Sequence, residues 1–302
     1  MSKVIETSAY RYCGRLFTES DMEVIRQVIA STEHPTRAAI ARAVCSAFAW
    51  VRPNGLLKDM SARVALLRME RDGLLTLPAP THSYTPARGA TFTAACDPQL
   101  ELRCSSQEIG AIVLCQVTSM ADSRLWNELI DRYHYLGYRP LPGAQLRYLV
   151  KHEERILGAL GFGAAAWKVA ARDSFIGWTS EQRAERLHLV VNNARFLMLP
   201  WIHVPNLASR ILSLAAKQVF RDWPKLYGYQ PVLLETFVDQ ERYAGTCYKA
   251  ANWAHVGQTK GRGKLDRYHQ QAVSIKNVYL YPLNRRFKHV LTERGDVNAL
   301  GS

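Results

Sequence analysis

The sequence lacks the spacings that announce a familiar chemistry. Its six cysteines, Cys13, Cys45, Cys96, Cys104, Cys115 and Cys247, form no C-x-x-C pair, which excludes the usual zinc and thioredoxin-like patterns. Six thiols in 302 residues are too few for a disulfide scaffold and fit a reducing compartment. There is no G-x-x-x-x-G-K-[ST], no H-E-x-x-H and no G-x-S-x-G, so none of the chemistries those motifs carry is signalled. Apolar runs such as 156–167 carry glycine and fall short of the roughly 20 residues of a membrane span. The opening MSKVIETSAYRYCGR has no apolar core, so no signal peptide is expected. The expectation is a cytoplasmic protein with no membrane partner. Acid is also scarce: 26 Asp and Glu face 39 Lys and Arg, a net charge of +13. Such a surplus favours a polyanionic partner and says nothing of fold. With 48% hydrophobic and 22% charged residues, the chain is not of the disordered class. Its length suits about two domains of roughly 150 residues.

What is present begins with a helical block over 1–80. Thr18 or Ser20 caps a first helix carrying Met22, Ile25, Val28 and Ile29 at helical spacing. Thr36 caps a second, with Ile40, Val44, Ala47 and Phe48 on one stripe, and a Pro-Asn-Gly turn at 53–55 ends it. A third helix spans Lys58 to Asp72, with Met60, Val64 and Leu67 expected inward and Lys58, Arg63, Arg68 and Arg71 outward. Gly73 ends it, and Leu74–Pro78 reads as a short strand. Three helices and a strand fit a winged helix-turn-helix whose third helix enters the major groove, with its cations near phosphates. A small helical bundle with a solvated basic face fits the same pattern.

A breaker-rich connector over 81–110 leads to a second block over 111–291, with a tail over 292–302. Strands are expected at 111–117, 146–150 and 155–162, the last two joined by an acidic turn at Glu153-Glu154. A helix is expected from Ser123 to Tyr135. A strand region over 186–199 is interrupted by Asn192-Asn193, as a bulge would do. Pro205 opens a long helix to Trp223. Strands at 231–238, 253–257 and 278–281 surround a short helix at 243–251. The order is α+β or α/β with a mixed sheet flanked by helices.

That order resembles the GNAT acyltransferase fold. There the helix after the fifth strand often carries a tyrosine followed by Gly-Phe. Here Tyr248-Lys249-Ala250-Ala251-Asn252-Trp253 has the tyrosine and the aromatic, with Asn252 in the glycine's place. The resemblance implies that Tyr248 stands where a general acid would protonate a leaving thiolate. It also implies a glycine-rich pyrophosphate loop at the start of the long helix. His203-Val204-Pro205-Asn206-Leu207-Ala208-Ser209 has no glycine, and Pro205 lacks an N–H, so acetyl-CoA is not the expected cofactor. A resemblance over about 20–290 is to the DruA family. It is carried by Tyr133-His134-Tyr135-Leu136-Gly137-Tyr138, Ile176-Gly177-Trp178, the run from Leu189 to Leu197, Val204-Pro205-Asn206-Leu207-Ala208-Ser209, Leu234-Glu235-Thr236-Phe237-Val238-Asp239, Gly245-Thr246-Cys247-Tyr248 and Gly261-Arg262-Gly263-Lys264. That family is known from the Druantia anti-phage system and from transposon-linked relatives. The resemblance implies a DNA-related role beside defence or transposon proteins, and no particular reaction.

Several residues invite chemistry on their own. Lys260, Arg262 and Lys264 alternate with glycine at 257–264, and Arg267 follows, as a phosphate-contacting loop would; an inert hairpin reads the same. Glu235 and Asp239 could hold Mg²⁺ for hydrolysis or strand transfer, or be an ion-paired Glu and a capping Asp. His134 could move protons or bond a carbonyl. Cys247 could be an activated nucleophile near a helix start or a small buried residue. Asn192 and Asn193, with Asn206 and Asn252, could contact a substrate, or fill a bulge and turns. Trp167, Trp178, Trp201 and Trp253 could stack on bases or lie in the core. The expected function is a DNA-binding protein of a defence or mobile-element system whose second domain modifies, processes or binds nucleic acid. A CoA-dependent N-acyltransferase and a metal-dependent nuclease or strand transferase stay open.

Overall fold

A computed structural model describes residues 9–31, 36–52, 55–80, 92–261 and 274–293. The chain divides into two compact units, Met1–Ala87 and Arg88–Ser302.

The first unit opens with a hairpin that periodicity did not indicate, β1 (Tyr10–Tyr12) against β2 (Arg15–Phe17). Helices α1 (Glu19–Ala30), α2 (Arg37–Ala47) and α3 (Asp59–Arg71) follow. Thr18 caps α1 in a reciprocal box with Asp21, and the Thr36 side chain accepts from the Ala39 N–H, each removing an orphan donor. The core gathers Phe17, Met22, Ile25, Ile40, Val44, Trp50, Leu66 and Met69 around buried Ala41, Ala62 and Ala65.

Those alanines correct the expected phase of α3. Ala62, Ala65, Leu66 and Met69 face inward, while Met60, Val64 and Leu67 are 56%, 37% and 41% exposed. The buried stripe is as regular as the expected one but is made of smaller residues, which allow close packing. Leu74–Pro78 also differs from expectation. It joins no strand; instead Leu75 and Leu77 are buried and the Leu77 N–H donates to Glu70 Oε1 (2.9 Å).

In the second unit, residues 92–110 are no free connector. Cys96 and Ile109 lie in its core, and β3 (Leu102–Arg103) pairs in parallel with β8 (Ile202–His203). The sheet is built from β4 (Val113–Gln116), β5 (Gln145–His152), β6 (Arg155–Ala164), β7 (Val190–Met198), β9 (Leu233–Asp239), β10 (Ala254–Gln258) and β11 (Lys276–Pro282), in the order β10-β11-β9-β7-β6-β5-β4. Helix α4 (Met120–Tyr133) precedes β5, and α5 (Ala170–Ile176) and α6 (Ser180–Arg186) separate β6 from β7. Helix α7 (Leu207–Tyr227) links β7 to β9, α8 (Thr246–Ala250) precedes β10, and α9 (Phe287–Thr292) follows β11. Glu153 turns the β5–β6 hairpin with a positive φ of 51°.

Several boundaries move, two of them around β7 and α7. Leu187–Leu189 forms a 3₁₀ turn rather than strand. Helix α7 starts after Asn206, whose φ of 60° is left-handed, so Pro205 lies outside the helix. The Leu207 N–H is already taken by the Val204 carbonyl (3.3 Å).

All neighbours in the sheet are antiparallel except β7 and β9. These pair in parallel only at Val190↔Leu233, Val191↔Leu234 and Asn192↔Glu235, and then part. Antiparallel β6–β7 pairing slips by one residue at Ala194, because Phe162 pairs with Asn193 while Gly161 pairs with Arg195. The expected bulge is therefore present one residue beyond the asparagines.

Candidate functional site

The parting of β7 and β9 organises several polar residues of the second unit. Consecutive strand residues point to opposite sides of a sheet, so Asn192 and Asn193 do not serve one surface. Asn193 turns toward α8. Its Nδ2 donates to the carbonyls of Gly161 (3.3 Å) and Arg195 (3.0 Å), and its Oδ1 accepts from the Tyr248 hydroxyl (2.8 Å). Thr236 Oγ1 donates to the Asn193 carbonyl (3.0 Å).

The Tyr248 ring stacks on Tyr279 at 5.8 Å and meets Trp253 and Phe196 edge-on. Gly245, just before α8, has a φ of 70°, and a Cβ there would strike the Tyr279 ring. Only glycine lets α8 start this close to the sheet. Burial drives the Tyr248 hydroxyl above its ordinary pKa. It keeps its proton and donates it in a hydrogen bond to Asn193 Oδ1. Burial also raises the Cys247 thiol, contrary to activation by a helix start; α8 has only five residues. Asn252 closes α8 with a φ of 63°, an asparagine in a position glycine often fills.

On the opposite side of the sheet, Glu235 is fully buried. Its Oε2 accepts from Arg172 Nη1 (2.8 Å) and its Oε1 from the Ala166 N–H (2.8 Å). Arg172, also fully buried, forks onto Asp173 Oδ1 through Nε (2.9 Å) and Nη2 (2.8 Å). Burial raises the Glu235 carboxyl and the Arg172 charge opposes that rise.

Asp239 lies on Glu235's side, four residues on. Along an extended strand that is about 13 Å, while a metal–oxygen bond is about 2.1 Å. The two carboxylates cannot share one Mg²⁺, which corrects the metal reading. Among the described residues no three His, Cys, Asp or Glu side chains are grouped for a metal. Asp239 instead accepts from Ser274 Oγ (2.9 Å) and the Glu241 N–H (3.2 Å).

Arg195 and Lys276 stand on this same side. Both are half-buried, and burial lowers the pKa of each. His134 caps the end of α4 and accepts the Leu136 N–H at Nδ1 (3.2 Å). Burial first, then Arg195 and Lys276, lower its pKa to about 4. It is neutral at pH 7, with one ring nitrogen occupied. It stacks on Tyr135 (4.9 Å), over which Arg242 lies at 5.3 Å.

The α7 start borders an open cleft of about 700 Å³ lined by Ser106, Gly110, Asn206, Ser209, Arg210 and Ala250. Arg210 donates to the carbonyls of Ser106 (3.0 Å) and Gly110 (2.6 Å), so its charge is engaged by residues 105–111. With no glycine in the turn, no N–H on Pro205 and the Leu207 N–H spent, a glycine-type cradle for the CoA pyrophosphate is not formed.

In the first unit Arg68 and Arg71 are exposed on α3, Lys58 is half-exposed at its start, and Arg63 lies 3.7 Å from Asp59. Lys260 is exposed after β10; Arg262, Lys264 and Arg267 fall outside the described residues. Trp178, Trp201 and Trp253 are buried, which removes them as stacking platforms, whereas Trp167 is 59% exposed.

A family model described as Druantia protein DruA matches residues 69–288. The chain belongs to the DruA family. Among curated proteins, none matches the sequence. Solved structures similar to this DruA-family chain include a spermidine/spermine N-acetyltransferase from Vibrio cholerae, 10% identical, covering 60% of this chain and 98% of that one at a TM-score of 0.40. An N-acyl amino acid synthase from uncultured soil microbes is 13% identical over 57% of this chain and 92% of its own, at 0.37. A Drosophila melanogaster polyamine N acetyltransferase is 14% identical over 57% and 100%, at 0.37. At these scores the likeness bears on neither substrate nor reaction. Among the described residues no helix of this DruA-family chain is long and apolar enough to cross a membrane.

Proposed function

We propose that the chain is a DNA-directed protein of an anti-phage defence or mobile-element system, docking on duplex DNA through α3 and acting beside partner proteins of that system. DruA-family membership supports the defence context. The observation that carries the docking is the outward face of α3. Arg68 and Arg71 are exposed there, and among the described residues neither forms an ion pair. Met60, Val64 and Leu67 lie on the same helix, exposed. Guanidinium groups contact phosphate or guanine edges, and apolar side chains contact thymine methyls. The test is fluorescence anisotropy of labelled duplex DNA with the full chain at low salt. Tight binding, lost on charge reversal in Arg68→Glu/Arg71→Glu, supports the reading; absent binding, or binding unchanged by the reversal, overturns it.

A second reading, a CoA-dependent N-acyltransferase, is favoured by one observation: the Tyr248 hydroxyl lies beside Asn193, next to the point where β7 and β9 part. The same bond opposes it, since the proton is already shared with Asn193. Saturable acetyl-CoA binding in calorimetry, weakened by substitutions at 204–209, would revive this reading; no binding would end it.

A further inference from the structure

The bulge at Ala194 has a chemical effect. Gly163 faces Asn192 and Gly161 faces Arg195 across the β6–β7 ladder. Gly161 and Gly163 share one side of the sheet, so Asn192 and Arg195 do too. Without the extra residue, Arg195 would point with Asn193 toward Tyr248. The bulge re-aims it. Asn192 pairs with Glu235, Asp239 shares the Glu235 side, and Lys276 is the register partner of Asp239. Asn192, Arg195, Glu235, Asp239 and Lys276 therefore surround the parting of β7 and β9 on a single side.

The charges there do not balance. Glu235 is neutralised by Arg172. Asp239 already accepts two hydrogen bonds. Against it stand two cations: burial lowers the Lys276 pKa first, Asp239 opposes that and the charge of Arg195 adds to it, while on Arg195 burial acts first, Tyr135 opposes and Arg139 adds. Among the described residues Arg195 Nη1 bonds only its neighbour's carbonyl, Ala194 O (2.8 Å), and its buried Nε has no partner. Among the same residues Asn192 Oδ1 is likewise buried without a partner. Desolvating like charges side by side is unfavourable unless an anion neutralises them.

We propose that the parting of β7 and β9 binds a nucleotide unit on the Arg195 side of the sheet, with its phosphate held by Arg195 and Lys276 and its sugar or base hydrogen-bonded by the Asn192 amide. A guanidinium and an ammonium around one phosphate is a recurrent pairing, and the unpartnered amide supplies a neutral contact for a hydroxyl or amino group. The choice of phosphate over other anions rests on the nucleic-acid reading; the site does not rest on α3. The ligand is a nucleic-acid strand or a free nucleotide.

The test is calorimetry of the full chain with a short thymidine oligomer, with thymidine monophosphate and with duplex DNA. Binding of the oligomer alone supports a strand, and binding of the monophosphate as well supports a free nucleotide. Arg195→Gln and Lys276→Met each weaken that binding about 10- to 100-fold, Arg195→Lys restores part of it, and duplex binding through α3 persists. Arg68→Glu/Arg71→Glu has the opposite pattern, so failure of docking and failure of the site between the strands are told apart. No binding of either single-strand probe, or unchanged binding in folded variants, overturns the proposal. Should the variants fail to fold, modification of Lys276 by an amine reagent in the unaltered chain gives the answer: thymidine monophosphate slows it if the site exists, and an unchanged rate refutes it.

Discussion

At the scale of single residues, burial decides what each titratable group can do. Glu235 and Arg172 are both fully enclosed, and removing one member of such a pair strands the other's charge. Glu235→Ala is expected to cost about 3–5 kcal/mol of stability, read by urea unfolding. A metal-ligand role would instead leave stability intact and abolish metal-dependent activity. His134 gives a pH signature. Its folded pKa is about 4 against an ordinary 6.5, so below pH 6.5 the unfolded chain takes up a proton that the folded one refuses. Stability present above pH 6.5 is lost as pH falls toward 4. His134→Gln flattens that segment of an unfolding series run from pH 7 to pH 4. The sequence marked His134, Glu235 and Asp239 as chemical by type and spacing. It could not mark Arg195 or Lys276 as half-buried, because nothing in Asn-Ala-Arg-Phe or Ile-Lys-Asn distinguishes a half-buried cation from a solvated one.

Single elements show where periodicity reads well and where it slips. The β5–β6 hairpin, α1 and α2 follow from alternation, caps and an acidic turn. Helix α3 was readable as a helix but not in phase, because alanines form its buried stripe and a hydropathy pattern gives them little weight. The β1–β2 hairpin escaped notice because each strand has three residues, too few to show a period. Strand β6 carries the tightest constraint. A Cβ at Gly158 would collide with the Leu197 carbonyl oxygen of β7. Gly158→Ala is therefore expected to force these central strands apart and lower stability by about 1–3 kcal/mol. Thermal unfolding of the variant measures it, with Gly177→Ala for comparison, where a Cβ meets no atom but φ is +84° and only backbone strain of about 1 kcal/mol enters.

Across the whole molecule the +13 surplus resolves into places. One is the exposed edge of α3 and another is the side of β7 and β9 where Arg195 and Lys276 stand. If α3 docks on duplex DNA, log affinity falls linearly with log salt, with a slope of about −0.9 for each phosphate neutralised. Removing the charges of Arg68 and Arg71 should make that slope shallower by about 2, measured as duplex affinity across a salt series. A slope unchanged by the double substitution would place the contact elsewhere.

The sequence by itself determined the excess of positive charge, the helical start and mixed-sheet remainder, and the family motifs, because composition, caps and alternation are local properties written residue by residue. Only the tertiary structure decided which side of the sheet each side chain faces. One bulged residue, Ala194, reverses the direction of Arg195 relative to Asn193. It seals Tyr248 with Asn193 on one side and collects Arg195, Lys276 and Asn192 on the other. Such a reversal depends on the register between β6 and β7, and register is a property of the ladder that no single strand carries.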